Sequence, residues 1–139
     1  MANKTPLKGL FDGGNNAIGL SEFNSTDTIG ASARTVVTVA DYSATPAINW
    51  SGSDVVRITL TGNMTPTMTG AVDGQKCILE IIQDATGSRT ATWTNATLRY
   101  GTDITSITLS TAASKIDRVG FIYNASANKY DVVAVVKGF

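Results

Sequence analysis

Short apolar runs alternate with turn residues from Arg34 to the last residue of the 139-residue chain. "DVVRITLTG" (54–62) is an example. Val56, Ile58 and Leu60 lie on one side of this predicted strand, and the other side is partly polar. No stretch keeps the spacing of an amphipathic helix over about 11 residues. The pattern therefore predicts an all-β fold for residues 34–139, an antiparallel β-sandwich of the jelly-roll type.

Two hairpins are predicted within this domain. "QKCILEIIQD" (75–84) is predicted to pair with "SRTATW" (88–93), and "KIDRVGFIYN" (115–124) with "KYDVVAVVKGF" (129–139). "SITLS" (106–110) is predicted to be a further short strand. Asn, Asp, Ser and Gly at the hairpin tips are the residues that tight turns require. The tip residues that we expect to be exposed are Asp84, Ser88, Asn124 and Asn128.

Residues 1–33 differ from the rest, because Gly, Asn and Ser are frequent there and the apolar residues keep no regular period. Ordering about thirty residues costs roughly 30–60 kcal/mol, and burying the few apolar side chains returns roughly 10–20 kcal/mol. We therefore expect an extended N-terminal arm that becomes ordered by docking on another surface. The side chains predicted to anchor it are Leu7, Leu10, Phe11, Ile18, Leu20 and Phe23.

The composition argues against several classes of function. Lys plus Arg equals Asp plus Glu at 11 each, and no basic cluster is present, which argues against nucleic-acid binding. No apolar run approaches the roughly 20 residues that span a bilayer, so we expect no membrane insertion. The N-terminus lacks the apolar segment of a signal peptide, which predicts folding in the cytoplasm. Charged residues make up only 16% of the chain, as in a protein that shares its surface with neighbours.

Two predicted strands are apolar on both faces. In a solvated antiparallel sheet the outer face should be polar, but "ILEII" (78–82) and "VVAVV" (132–136) are apolar on both sides. This pattern predicts that the outer face is covered, most simply by identical subunits. The residues that we predict at such an interface are Ile78, Ile82, Val133 and Val135.

Candidate chemistry is sparse. Glu80 and Asp84 share a strand face but lie roughly 13 Å apart along it, too far for a glycosidase pair. We expect Glu80 to face Arg57 or Arg118, and Asp84 to open a turn. A hydrolase would need carboxylates from different strands, such as Glu80 with Asp117.

Metal, cofactor and nucleophile signals are also missing from the sequence. There is no histidine to activate Cys77, which is predicted to be a small buried hydrophobe. No metal-ligand or phosphate-loop spacing occurs. We therefore predict no catalytic, cofactor-binding or metal site.

The chain resembles bacteriophage virion surface proteins that end in a jelly-roll-like domain. The resemblance rests on "VDGQKCILEIIQDATGSRTATW", "LRYG" and "LSTAASKIDRVGFIYNASANKYDVVAVVKGF". "AINWSGSDVVRITLTGNMTPTM" is similar to the part that precedes these segments, and "GLSEFNSTDTIG" to the lead-in of phage fibre proteins. Members of the group are head decoration (cement) proteins, head fibres and tail fibres.

The resemblance implies a homotrimeric module on the virion surface without catalysis. This chain has an arm and one domain but no fibre shaft, which favours a decoration protein on the capsid surface with the major capsid protein, or another virion protein, as partner. The alternative is a receptor-binding module of a short tail fibre or head fibre that contacts host surface glycans through its tips.

Overall fold

The chain divides into two compact units, Met1–Arg34 and Thr35–Phe139. The computed structural model describes residues 7–11, 17–22 and 37–139. All regular elements of these residues are strands, which confirms the predicted all-β class. The strands are β1 (Leu7–Phe11), β2 (Ala17–Glu22), β3 (Val37–Ala40), β4 (Ala47–Asn49), β5 (Val55–Leu60), β6 (Thr67–Thr69), β7 (Lys76–Gln83), β8 (Leu98–Arg99), β9 (Ile116–Asn124) and β10 (Lys129–Val136). Within the described ranges no helix has the length and apolar character needed to cross a membrane.

The first unit contains a pair of strands that its irregular sequence does not predict. β1 and β2 pair antiparallel, with Leu7 opposite Glu22 and an irregularity between Leu10 and Phe11. The predicted anchor residue Phe23 lies outside the described residues, and the other five anchor positions lie within β1 and β2. The docking role of this segment stays a prediction.

The second unit is built on a six-stranded mixed sheet in the order β3-β5-β7-β9-β10-β8. β3, β5 and β7 run parallel, and the strands between them along the chain, β4 and β6, form a separate parallel pair. Because successive strands alternate between the two sheets, the chain winds as a short coil of the kind found in β-solenoids. The β9–β10 hairpin then closes one side of the coil by pairing antiparallel with β7.

Antiparallel pairing is therefore limited to two of the six strand pairs in this unit, β7–β9 and β9–β10. The prediction of an antiparallel sheet throughout is wrong. Among residues 37–139, three of the four parallel pairs join residues about twenty positions apart, such as Ala47 and Thr67, and the fourth, β8–β10, joins residues 32 positions apart. Parallel strands are not joined by a tight turn, so the turn residues from which a hairpin is predicted do not reveal this pairing.

The hairpin predicted between 75–84 and 88–93 is also wrong, because both edges of β7 are already occupied by β5 and β9. Residues 88–93 instead reach the Met64 backbone, whose N–H donates to Thr90 O at 2.9 Å and whose carbonyl accepts from Thr92 N at 2.8 Å. The predicted strand at 106–110 does not form either, since the backbone groups of Ser110 bond to side chains. The second predicted hairpin is confirmed as β9–β10.

The core lies between the six-stranded sheet and the β4–β6 pair. Alternate residues of β5, β7 and β9 point into it, as the period of a strand requires. Ile48 and Met68 meet them from the small sheet, and Trp50 is fully buried beside them. This inner face includes Cys77, Leu79, Ile81, Val119, Phe121 and Val132.

Candidate functional site

The candidate site is the face of the six-stranded sheet that points away from the core, which we call the outer face. Residues opposite each other on paired strands lie on the same face, so the strand register identifies its members. Two central rows cross five strands each. They consist of Val37, Val55, Ile78, Gly120 and Ala134, and of Val39, Arg57, Glu80, Arg118 and Val136. Shorter rows beside them contain Thr59, Ile82 and Ile116, and Lys76, Ile122, Asp131 and Arg99.

Large exposed apolar side chains of residues 37–139 concentrate on this face. Eight such side chains are exposed, and five of them belong to the rows just described: Val37, Val39, Ile78, Ile122 and Val136. Val133 lies beside Gly120, and the Phe139 ring lies 4.6 Å from the Arg118 guanidinium carbon. The eighth, Val72, lines a groove that Ile78 also lines. Isolated exposed apolar residues are ordinary, but a concentration on one face marks an interaction surface.

A charged triad lies at the centre of the outer face. Glu80 is only 4% exposed, although it points away from the core. The Arg57 Nε of β5 donates to one of its carboxylate oxygens, and the Arg118 Nε of β9 donates to the other at 2.9 Å. Both guanidinium side chains remain 43% exposed. The expectation that Glu80 faces Arg57 or Arg118 is confirmed, and it contacts both.

The two arginines keep Glu80 ionised. Burial by itself would raise the pKa of Glu80, but the hydrogen bonds and positive charges of Arg57 and Arg118 outweigh it and hold that pKa below its usual value. One carboxylate is thus shared by two arginines, and the triad carries a net charge of about +1. Its guanidinium groups retain N–H donors that face outward.

A bulge in β10 decides which predicted interface residues reach the outer face. The register shifts between Val132 and Ala134. A Cβ built on Gly120, an outer-face residue, would lie 3.6 Å from Val133 and 3.3 Å from Ala134. Val133 and Ala134 therefore both lie outward, and Val135, opposite the buried Val119, packs against the core. Ile78, Ile82 and Val133 share one face, and Val135 does not belong to it.

The carboxylates considered for catalysis are not brought together. Asp117 pairs with Ile81 on the inner face, opposite in direction to Glu80. Its oxygens accept from Ser110 N at 2.6 Å, Ser110 Oγ at 2.7 Å and Gly138 N at 2.9 Å. The sheet therefore separates the two carboxylates, and each has its own partners.

Asp84 forms the turn that the sequence predicts. Its Oδ1 accepts from Thr86 N at 3.0 Å and Gly87 N at 2.8 Å, and its Oδ2 pairs with Arg89 Nη2 at 2.8 Å. The hydrogen bond from Arg89 is the main reason that the pKa of Asp84 is lowered. Gly87 has φ of +73°, and a Cβ there would lie 2.6 Å from Thr111 O, so glycine is required.

The two predicted tips lie at opposite ends of the sheet. β7 ends beside Ile116, where the Asp84 turn begins, whereas the Asn124 turn lies at the Lys76 end, because Lys76 pairs with Ile122. Ser88 and Asn128 are exposed, and Asp84 and Asn124 are half-buried. The two turns are therefore separated by the length of the strands, roughly 25 Å. They cannot form a single ligand-binding surface.

Cys77 is fully buried on the inner face, as expected of a small hydrophobe. Burial, and secondly the negative charge of Asp54, raise the pKa of its thiol to about 12. A thiol in this state is a poor nucleophile at neutral pH.

The sequence reasoning missed several members of the outer face and one polar residue of the inner face. Val37, Ile116 and Phe139 were not singled out, although alternation along 116–122 could have indicated Ile116 and Ile122. Gln83 is 2% exposed, and its amide joins two loops by donating to Arg89 O at 2.8 Å and Ser110 O at 2.7 Å. No sequence signal distinguishes it from a glutamine at the end of any strand.

A groove of about 760 Å³ borders the outer face between residues 50–54 and 70–76. Val55, Val72 and Ile78 give it apolar walls, and Asp54 and Asp73 add carboxylates. Within the described part of the chain, no three metal-ligating side chains come together. No family model, curated protein or solved structure matches the chain.

Proposed function

We propose that the protein is a capsid decoration (cement) protein that binds the assembled phage head as a homotrimer and stabilises it. The supporting observation is the outer face, a sheet surface that holds most of the large exposed apolar side chains of residues 37–139. The sequence resemblance to virion surface proteins gives that assembly surface its proposed context. The proposal depends on the surface and not on a jelly-roll strand order.

The proposed mechanism is mass action. A protein that binds only the assembled shell shifts the equilibrium toward that shell, by an amount that grows with its concentration relative to its dissociation constant. The apolar residues of 1–33 would anchor the subunit to the major capsid protein. Anchoring by this segment would make attachment depend on a binding surface that only the assembled lattice presents.

Removal of residues 2–30 tests this function. We expect the shortened protein to keep the number of subunits of the full-length assembly in light scattering and to lose binding to purified shells in a sedimentation assay. Full-length protein carrying Thr105→Glu, a change at an exposed position of the second unit, serves as the matched control and should bind normally. Saturation of the shells by the shortened protein would refute anchoring by this segment.

A receptor-binding module is the second candidate, and the groove beside the outer face favours it. The groove adjoins the Asn124 turn, where Ala125 N donates to Asp73 Oδ1 at 2.8 Å, and it offers the carboxylates of Asp54 and Asp73 as hydrogen-bonding groups. A glycan array probed with the full-length protein tests it. Binding that is lost in Asp54→Ala and kept in Thr105→Glu would favour the receptor-binding candidate.

A further inference from the structure

We infer that the outer face is an interface between copies of this chain, in which the triad of Arg57, Glu80 and Arg118 of one copy contacts the border of the next copy. This inference deepens the homo-oligomer in the proposed function, and rests on that part of it alone. It does not depend on where the protein sits on a virion.

The size of the face suits self-association. Its central rows cross five strands about 4.8 Å apart, and β9 extends along it from Ile116 to Ile122 at about 3.4 Å per residue, which gives roughly 19 by 20 Å. Side chains enlarge the accessible area beyond this projection, so a partner that covers this face removes on the order of 1,000 Å² from water, counting the area of both partners. That is the lower limit for a specific, stable interface.

The apolar character of the face points in the same direction. Monomers rarely expose a contiguous apolar patch above a few hundred Å². Ile78 and Ile82 flank the triad along β7, and Val39 and Val136 flank it across the strands. A partner that covers these residues gains the hydrophobic free energy that the isolated subunit cannot recover.

The triad can be covered at low cost because its carboxylate is already paired. Glu80 receives donors from both arginines within the chain, so burial of the face leaves no uncompensated carboxylate. What remains is a net charge of about +1 and several outward N–H donors, which require acceptors on the partner.

A second copy can supply those acceptors at its border. The groove beside Val55 and Ile78 contains Asp54, Asp73 and Lys76, which together carry a net charge of about −1. The centre of the face is thus positive and this border is negative. Two copies placed face to face about a two-fold axis would bring the positive centres together, which is unfavourable.

An offset contact avoids this repulsion, because the centre of one copy then meets the acidic border of the next. Such a contact joins two different patches of the same chain, either head to tail or reciprocally in an offset two-fold pair. Repeated head to tail around an axis, it closes into a ring. The homotrimer of the proposed function is the smallest ring of this kind, with one such contact between each pair of subunits.

Light scattering and sedimentation velocity of the purified full-length protein test the inference. We expect a single species of at least three copies at about 50 µM, and a monomer for Ile78→Glu, which places a charge in the centre of the apolar rows. Val136→Lys, at the edge of the sheet, serves as a second disrupting variant with little effect on folding, and Thr105→Glu is the matched surface control. Circular dichroism melting establishes that each variant is folded.

The border is tested separately by Asp54→Asn combined with Asp73→Asn. We expect this variant to associate about 10-fold more weakly than wild type, and the difference to shrink in about 0.5 M salt as charges are screened. A wild-type dimer that the border variant leaves unchanged would overturn the offset arrangement.

Other results overturn the interface itself. A monomeric wild-type protein at about 100 µM, or an Ile78→Glu variant that keeps the wild-type mass, would do so. If the wild type is monomeric and Ile78→Glu prevents shell binding, the face is a docking surface for the shell. The inference and the homotrimer of the proposed function then fail, while shell binding itself stands. An oligomer that depends on Ile78 but does not bind shells would support the interface between copies and contradict the proposed function.

Discussion

The two faces of the six-stranded sheet accommodate a buried carboxylate in different ways. Each face of the sheet buries one carboxylate: Asp117 of β9 on the inner face and Glu80 of β7 on the outer face, at 1% and 4% exposure. Asp117 is held by backbone N–H groups and a serine of the same unit. Glu80 is held by two long side chains that remain half-exposed.

This difference fits a folding role for Asp117 and, in the proposed interface, an assembly role for Glu80. The partners of Asp117 belong to the segments before β9 and after β10, so its hydrogen bonds fix how those segments cross the end of the core. Arginine side chains are flexible and keep unused donors, so the partners of Glu80 can also reach a neighbouring molecule. The inner face is covered by its own chain, whereas the outer face leaves large apolar side chains exposed, which is the basis of the proposed interface.

The largest expected effect compares neighbouring residues on β7. Leu79→Ala should lower the free energy of unfolding by about 3 kcal/mol, because Leu79 is fully buried and its truncation leaves a cavity. Ile78→Ala should cost less than about 1 kcal/mol in separate subunits, since Ile78 is 40% exposed. Urea unfolding at low protein concentration measures both. Equal losses in the free energy of unfolding would show that the two faces of β7 contribute equally to the stability of the subunit.

The next effect concerns the inner carboxylate. Asp117→Asn should lower the free energy of unfolding by about 2 kcal/mol, because the new amide N–H₂ faces backbone donors that it cannot accept from. Asp103→Asn, at an exposed position, is the matched control and should be neutral. If Asp117→Asn is as stable as wild type, the hydrogen bonds of the Asp117 carboxylate do not hold the segments before β9 and after β10 in place.

The sequence predicted some parts of this fold well. The β9–β10 hairpin has its strands next to each other in the chain and a turn of Asn and Ser between them, so local signals report it. The β5–β7 pair joins Val55 to Ile78 and has no turn of its own. Its parallel pairing depends on a crossover through β6, which is three residues long and too short to produce a recognisable pattern.

The outer face was predictable only in part. Apolar residues at 78 and 82 on the same side as Glu80 indicated a covered face, and the arginine partners followed from charge. The bulge at Val133 is not visible in a run of four valines and one alanine, because inserting one residue moves Val135 to the other face without any change in composition. Strand order was also needed to bring Val37 and Phe139 to the same face.

The third effect uses pH to distinguish the triad from the rest of the outer face. The pKa of Glu80 is lowered in the folded protein, so its stabilising contribution is complete above its ordinary value, about 4.3, and is lost as pH falls through the lower folded value. Glu80→Gln should cost about 1 kcal/mol at pH 7. That difference from wild type should shrink below about pH 4, as measured by urea unfolding.

Asp84 provides the internal comparison for this experiment. Its pKa is lowered chiefly by the hydrogen bond from Arg89, so wild type and Glu80→Gln should both lose some stability in acid. Only the difference between them reports the triad. A difference that stays constant from pH 7 to pH 3 would contradict the lowered pKa of Glu80.

The smallest effect separates the triad from an ordinary surface ion pair on the same face. Arg99 of β8 pairs with Asp131 of β10 in a two-bond arrangement at 2.6 and 2.5 Å, but the Arg99 side chain is 51% exposed. Exposed pairs of this kind contribute roughly 0–1 kcal/mol, because water and salt screen them. Arg99→Gln should therefore change the free energy of unfolding by about 0.5 kcal/mol or less, and about 0.5 M salt should remove the change. Glu80→Gln should keep most of its effect in the same salt, since buried pairs are screened much less. If salt abolishes both effects equally, the central position of Glu80 gives the triad no advantage over the pair at the sheet edge.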